Sequence, residues 1–300
     1  MEVPFEASAP EREKSILLPE LGSHAVQAFQ IMNQDLGLPV IFEEMPLTKA
    51  INQLAQGEVG AILAGASHTT GEVIYEGIKR LNPRRNEAGE EDAKGVRQRV
   101  SSFFVFERPG DEPFVVADCA VNESPQQLEL LQIAEQTIVN AAKLGIKPHV
   151  AFLSYSTTGS GHGDSSAKVR AVAQLFKDRS PEVPTIGEVQ FDAATDSSIY
   201  ELKTGEKWPG DQPPNIFIAP NLDTGNTLYK ALQSRRFGGG WTAIGPLLQG
   251  FENDRQLHDL SRGVTPEALA VICKYVARLS GLVVPDDEDV KKYGQGQTEQ

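Results

Sequence analysis

The chain is poor in cysteine. Cys119 and Cys273 are its 2 cysteines in 300 residues, and neither stands in a CxxC pair. That leaves no basis for a disulfide framework or a thiolate metal site, and no His/Cys/carboxylate cluster has metal-ligand spacing, so no metal is expected. No apolar run approaches the roughly 20 residues that span a bilayer. The opening M-E-V-P-F-E-A-S-A-P-E-R-E-K lacks the basic-then-apolar order of a signal peptide. A cytoplasmic protein with no membrane partner is expected. Cations are scarce as well: 28 Lys and Arg against 41 Asp and Glu leave a net charge of -13. Such a surface repels phosphate-rich polymers, so a general nucleic-acid or anionic-membrane binder is excluded. A small anion is not, because a few clustered arginines can reverse the local field.

What is present fits an ordinary globular protein, with 40% apolar and 23% charged residues. Three hundred residues exceed most single cores, so two domains are expected. Short apolar runs alternate with amphipathic segments. Ile16–Leu18, Val40–Phe42, Val59–Leu63, Val100–Phe106, Phe114–Ala117, Val150–Leu153 and Ile216–Ile218 read as strands. Helical spacing links Ala25, Phe29, Met32 and Leu36, and again Leu269, Ile272, Val276 and Leu279. Ser124-Pro125 with Gln127 predicts a capped helix start, Asp164 a second, and Thr265-Pro266 a third. This alternation implies an α/β fold with largely parallel sheets. The polar stretch Pro83 to Gln98 is expected to be a surface insertion, and Pro285 to Gln300 a flexible tail.

In open α/β sheets ligands sit beyond the carboxyl ends of strands. Three polar, glycine-rich segments have that predicted placement: S-Y-S-T-T-G-S-G-H-G-D from Ser154, P-N-L-D-T-G-N from Pro220, and G-P-L-L-Q-G from Gly245. The first favours an anion through its glycines, hydroxyls and free N–H groups. It is neither a dinucleotide fingerprint nor a P-loop, because its glycines fall as GxGxG and no Gly-Lys-Ser or Gly-Lys-Thr occurs. A fourth segment, L-H-D-L-S-R-G from Leu257 to Gly263, packs Asp259, Ser261 and Arg262 into four residues. Arg262 offers a planar fork of donors for phosphate or a developing oxyanion. Together the four suggest a site for a phosphorylated or acyl-bearing small molecule.

These residues resemble a known family. A-G-A-S-H-T-T at Ala64, V-S-S-F-F at Val100, A-D-C-A-V-N at Ala117, L-S-Y-S-T at Leu153, V-Q-F-D-A-A at Val189, the segments at Pro220 and Gly245, and D-L-S-R-G run collinearly, as in the phosphate acetyltransferase (phosphotransacetylase) family of phosphate acetyl/butyryltransferases. The resemblance implies two α/β domains with an interdomain cleft, an isocitrate/isopropylmalate dehydrogenase-like arrangement. It places residues 1–107 and 255–300 in the first domain and 108–254 in the second. It also implies transfer of an acetyl group between phosphate (acetyl phosphate) and coenzyme A by direct thiolate attack. Coenzyme A is then a co-substrate, no cofactor is bound, and the protein is a homodimer. By position, Ser261 and Arg262 stabilise the transition state. Ser102, Ser156, Thr157, Gly159, Ser160, Asn226, Tyr229, Lys230 and Gln249 are the substrate-binding candidates.

The chain departs from the family pattern at the proton acceptor. The resemblance puts an aspartate where this chain has Ala268. Glu267 and Asp259 are the alternative catalytic carboxylates. Glu267 is better explained as complementing a helix dipole, and Asp259 is alternatively explained by pinning of its turn. Tyr75 replaces an arginine, which Arg80, Arg84 or Arg85 could replace, unless each is solvated surface charge. Other ambivalent residues are Cys119 (reactive thiol or buried strand end), His162 (phosphate contact or exposed loop), Tyr229 (cleft or core) and His258 (standing for an amide). Two further readings stay open: a paralogue that binds acyl phosphate or acyl-coenzyme A with little or no turnover, and an acyltransferase for a larger acyl group.

Overall fold

A computed structural model describes residues 12–82, 98–210, 212–237, 239–260 and 263–282. The expected tail at 285–300, and the expected insertion apart from Gln98, lie outside the described residues. The chain divides into two compact units, 1–98 with 251–300, and 99–250.

The first unit is built on β1 (Ile16–Leu18), β2 (Val40–Phe42), β3 (Ala61–Ala64) and β10 (Gln256–Asp259), all parallel, in the order β10-β3-β1-β2. β1 and β3 are buried along their whole length, which is why they read as continuous apolar runs. Helices α1 (His24–Leu36), α2 (Leu47–Gln56), α3 (Thr70–Leu81) and α9 (Pro266–Leu279) complete it, with α1 packed on α9 and α2 on α3. The predicted start of α9 is found: Thr265 accepts from the Ala268 N–H at 3.2 Å, and Pro266 needs no donor there. β10 is the correction. The sequence predicts no strand here and reads Asp259 to Gly263 as a turn, yet Gln256–Asp259 is a buried strand paired residue by residue with β3. Ala64 and Asp259 are register partners, so the carboxyl ends of both strands open at one edge.

The second unit has β4 (Ser101–Glu107), β5 (Phe114–Ala117), β6 (Val150–Leu153), β7 (Thr185–Val189), β8 (Ile216–Ile218) and β9 (Thr242–Gln249), ordered β7-β6-β8-β5-β4-β9. β5 to β8 are parallel, but β4 runs antiparallel to both β5 and β9. This pairing puts β4 in the second unit, and the division falls at 98 and 250 instead of the expected 107 and 254. The third expected loop is also corrected. Gly245 to Gln249 lies within β9, an edge strand, where a proline is tolerated.

Four helices pack in this unit: α4 (Gln127–Lys143), α5 (Asp164–Arg179), α7 (Ser197–Thr204) and α8 (Leu222–Gln233), with α6 (Phe191–Thr195) a short turn. α4 begins two residues later than Ser124-Pro125 suggested. The Pro125 carbonyl accepts from Lys168 Nζ at 2.9 Å, and the capping box is Gln126 with Glu129. Asp164 is the first residue of α5 and not its cap. Among the described residues no helix is long and apolar enough to cross a membrane.

Candidate active site

In the first unit the polar groups gather past the carboxyl ends of β1, β3 and β10. Glu20 follows β1 and is 5% exposed. Its Oε2 accepts the Ser67 N–H at 2.7 Å and the Gly65 N–H at 3.2 Å, and its Oε1 is bonded to His68 Nδ1. Thr69 caps α3 in a box with Glu72. The Thr70 hydroxyl donates to Asp259 Oδ2 at 2.5 Å. Asp259 is 1% exposed, and its Oδ1 has no hydrogen-bond partner among the described residues. Gly65 makes the arrangement possible: its φ is +108°, and a Cβ there would stand 2.3 Å from that oxygen.

Burial pushes the Asp259 carboxyl from its ordinary 3.8 up to about 6, with the charge of Glu20 adding and the Thr70 bond opposing. The folded chain therefore binds more proton than the unfolded one between those values. Stability should fall as pH rises from about 4 to about 6, by on the order of 2–3 kcal/mol. Asp259→Asn should abolish that slope and melt above the parent at pH 7. Thermal melts across this range check it, and a variant less stable at pH 7 contradicts it.

Ser261 and Arg262 lie outside the described residues, as do Arg84 and Arg85. Leu260, just before them, is buried and donates its N–H to the Ala64 carbonyl at 2.6 Å. Glu267 stands in the first turn of α9, where a carboxylate complements the helix N-terminus. Tyr75 is exposed on α3, Arg80 is paired with Glu76, and His258 is buried against Gln256 Oε1 at 3.1 Å.

In the second unit the glycine-rich loop folds down on a carboxylate that the sequence reading missed. Glu188, on β7, is 3% exposed. Its Oε1 accepts the Ser156 hydroxyl and the Gly159 N–H, while Oε2 pairs with Arg170 at 2.7 Å. Thr157 Oγ1 donates to Gln190 Oε1 at 3.2 Å and accepts the Gln190 N–H at 3.0 Å. Ser156 and Thr157 thus turn inward and hold the loop, and Gly159, Ser160 and His162 stay accessible. A cleft of about 360 Å³ opens beside Thr158 and Gly159, with Arg170, Lys177 and Glu188 on its walls.

A second missed carboxylate, Asp118, is 2% exposed past the end of β5. It accepts from Ser102 N and Oγ, from the N–H groups of Ala120, Val121 and Asn122, and from Asn122 Nδ2. Asn226 Nδ2 reaches the adjacent Cys119 carbonyl at 3.1 Å, so Ser102 and Asn226 belong to one neighbourhood. Cys119 itself is buried, and desolvation, aided by the Asp118 charge, pushes its thiol well up. It is the strand-end thiol, not the reactive one. Tyr229 stacks on Phe104 at 4.5 Å between centroids, the core role, with the Lys230 ammonium over its ring. Gln249 is fully engaged in the interior: Nε2 donates to Ser101 Oγ and Thr137 Oγ1, and Oε1 accepts from Asn140. Buried amides must be bonded, so its hydrogen bonds hold β9 against α4.

Residues 27–276 match the profile of the phosphate acetyl/butaryl transferase family. The chain belongs to this family. Among relatives, the phosphate acetyltransferase of Bacillus subtilis is 34% identical over 213 residues, 71% of this chain and 60% of that protein. That of Clostridium acetobutylicum is 38% identical over 228 residues, 74% of this chain and 64% of that protein. The chain thus aligns with less than two thirds of the length of either. A phosphotransacetylase structure from Streptococcus pyogenes is similar at a TM-score of 0.72 and 25% identity, over 90% of this chain and 97% of that one. In this chain the position where the resemblance puts an aspartate, Ala268, is an exposed alanine early in α9.

Proposed function

We propose that this chain moves an acetyl group between phosphate (acetyl phosphate) and coenzyme A by direct attack of the thiolate on the acyl phosphate. The observation that carries the reading is the family match over residues 27–276, which spans the D-L-S-R-G segment, the groups around Asp118 and Glu188 and, Glu20 apart, the strand-end cluster of the first unit. Arg262 and Ser261 stabilise charge developing on the acyl and phosphate oxygens, the one by its positive charge and the other by a hydrogen bond. Gly159, Ser160, Asn226 and Lys230 line the substrate site. Ser102, Ser156 and Thr157 shape it through Asp118, Glu188 and Gln190 respectively. An isocitrate/isopropylmalate dehydrogenase-like fold, a cytoplasmic location, a homodimer, and coenzyme A as co-substrate with no bound cofactor are parts of the same proposal.

A coupled assay of acetyl-coenzyme A formation tests it. The parent protein is expected to turn over acetyl phosphate, and Arg262→Ala to lower kcat by about 10²–10³-fold, the usual effect of losing one transition-state donor. Absence of turnover with every short acyl phosphate would overturn the reading.

A further inference from the structure

The thiol proton needs an acceptor, and position 268 is alanine. Neither carboxylate singled out from the sequence is well placed. Glu267 occupies the first turn of α9, beside its N-terminal N–H groups. Asp259 is 1% exposed and already takes the Thr70 hydroxyl. His68 is different. It stands just past the carboxyl end of β3, before the cap of α3, and 37% of its side chain is exposed.

Its Nδ1 is bonded to Glu20 Oε1. An ionised carboxylate only accepts, so Nδ1 carries the hydrogen, and in the neutral ring Nε2 keeps its lone pair. Glu20 cannot drift, because it is 5% exposed and held by the Gly65 and Ser67 N–H groups. Among the described residues Nε2 has no partner. A base on one ring nitrogen with a buried carboxylate orienting the other is the arrangement that activates serine and cysteine nucleophiles elsewhere.

The geometry points to His68, oriented by Glu20, as the group that accepts the coenzyme A thiol proton, an inference that rests on the acyl-transfer reading. The S–H bond breaks, its proton goes to Nε2, and the sulfur electron pair forms the bond to the acyl carbon. The bond from that carbon to the phosphate oxygen breaks, phosphate leaves with the pair, and the imidazolium returns the proton to it. Among the described residues, the charged groups bordering this strand end are Glu20, Glu44, Glu72 and Asp259.

The test is kinetic, on the full chain with acetyl phosphate and coenzyme A. His68→Ala is expected to lower kcat about 10²–10³-fold with KM within about threefold, and to erase the acid limb of the kcat–pH profile. Added imidazole should restore part of the rate. Glu20→Gln should cost about tenfold in kcat by freeing the ring. If the alanine variant melts more than about 5 °C below the parent, kcat and the acid limb of His68→Gln decide. A His68 variant within about fivefold of the parent, or a slow one that keeps the parental acid limb, overturns the inference while leaving acyl transfer standing. A parent that makes no thioester overturns both.

Discussion

Asp118→Ala should lower the melting temperature of the chain by roughly 10–20 °C, the result of losing about 4–6 kcal/mol of stability. Six donors converge on this one carboxylate, and all belong to the strand β4 or to the turn that follows β5. A buried donor left without an acceptor costs about 1–3 kcal/mol, and water entering the gap recovers part of that. Asp118→Asn is the informative partner. It keeps one acceptor oxygen but turns an NH₂ group against the Asn122 amide, so it should fall between parent and alanine. An alanine variant melting within about 2 °C of the parent would show that the turn does not depend on Asp118.

The second large effect is expected from the smallest possible addition. Gly225 lies inside α8, where alanine is ordinarily worth about 1 kcal/mol over glycine. Here a Cβ would fall 2.0 Å from the Asp118 carbonyl oxygen and 3.1 Å from its carbon. Both atoms are backbone, so neither can rotate away. α8 must shift outward, stretching the bond from Asn226 to the Cys119 carbonyl. The overlap wins over propensity, and Gly225→Ala should destabilise by about 3 kcal/mol or more. Gly71→Ala is the control: it is also helical, the nearest atom to its Cβ is 4.0 Å away, and it should be neutral or stabilising. Denaturant unfolding of both variants settles the comparison, and a stable Gly225→Ala would refute the close approach.

Where structure follows from a local pattern, the sequence was readable. β1, β3 and β6 are unbroken apolar runs, and Thr265-Pro266 carries its own helix start. β7, T-I-G-E-V, was not readable, because a glycine and a glutamate interrupt it. Glu188 is buried only because Ser156, Gly159 and Arg170, all more than a dozen residues away, come to meet it. β10 hid for the same reason. Its Gln256, His258 and Asp259 look like a polar turn until their partners, Thr70 among them, are in place. Gly245-Pro246 read as a loop, since an edge strand and a loop tolerate the same residues. The Glu20–His68 pair spans 48 residues and belongs to no single motif. The available clue was positional: each residue stands just past the carboxyl end of a strand the sequence did predict, and parallel pairing of β1 with β3 makes them neighbours.

The burial of both cysteines has a consequence for a protein whose proposed work sets it beside a free thiol and a thioester. Cys119 and Cys273 are both 0% exposed, and desolvation raises each thiol far above neutrality. Folded, the chain offers an acyl donor no cysteine to acylate and a free thiol no partner for a mixed disulfide. One of these sealed sulfurs lies in each compact unit, so alkylation of either one dates the opening of that unit alone.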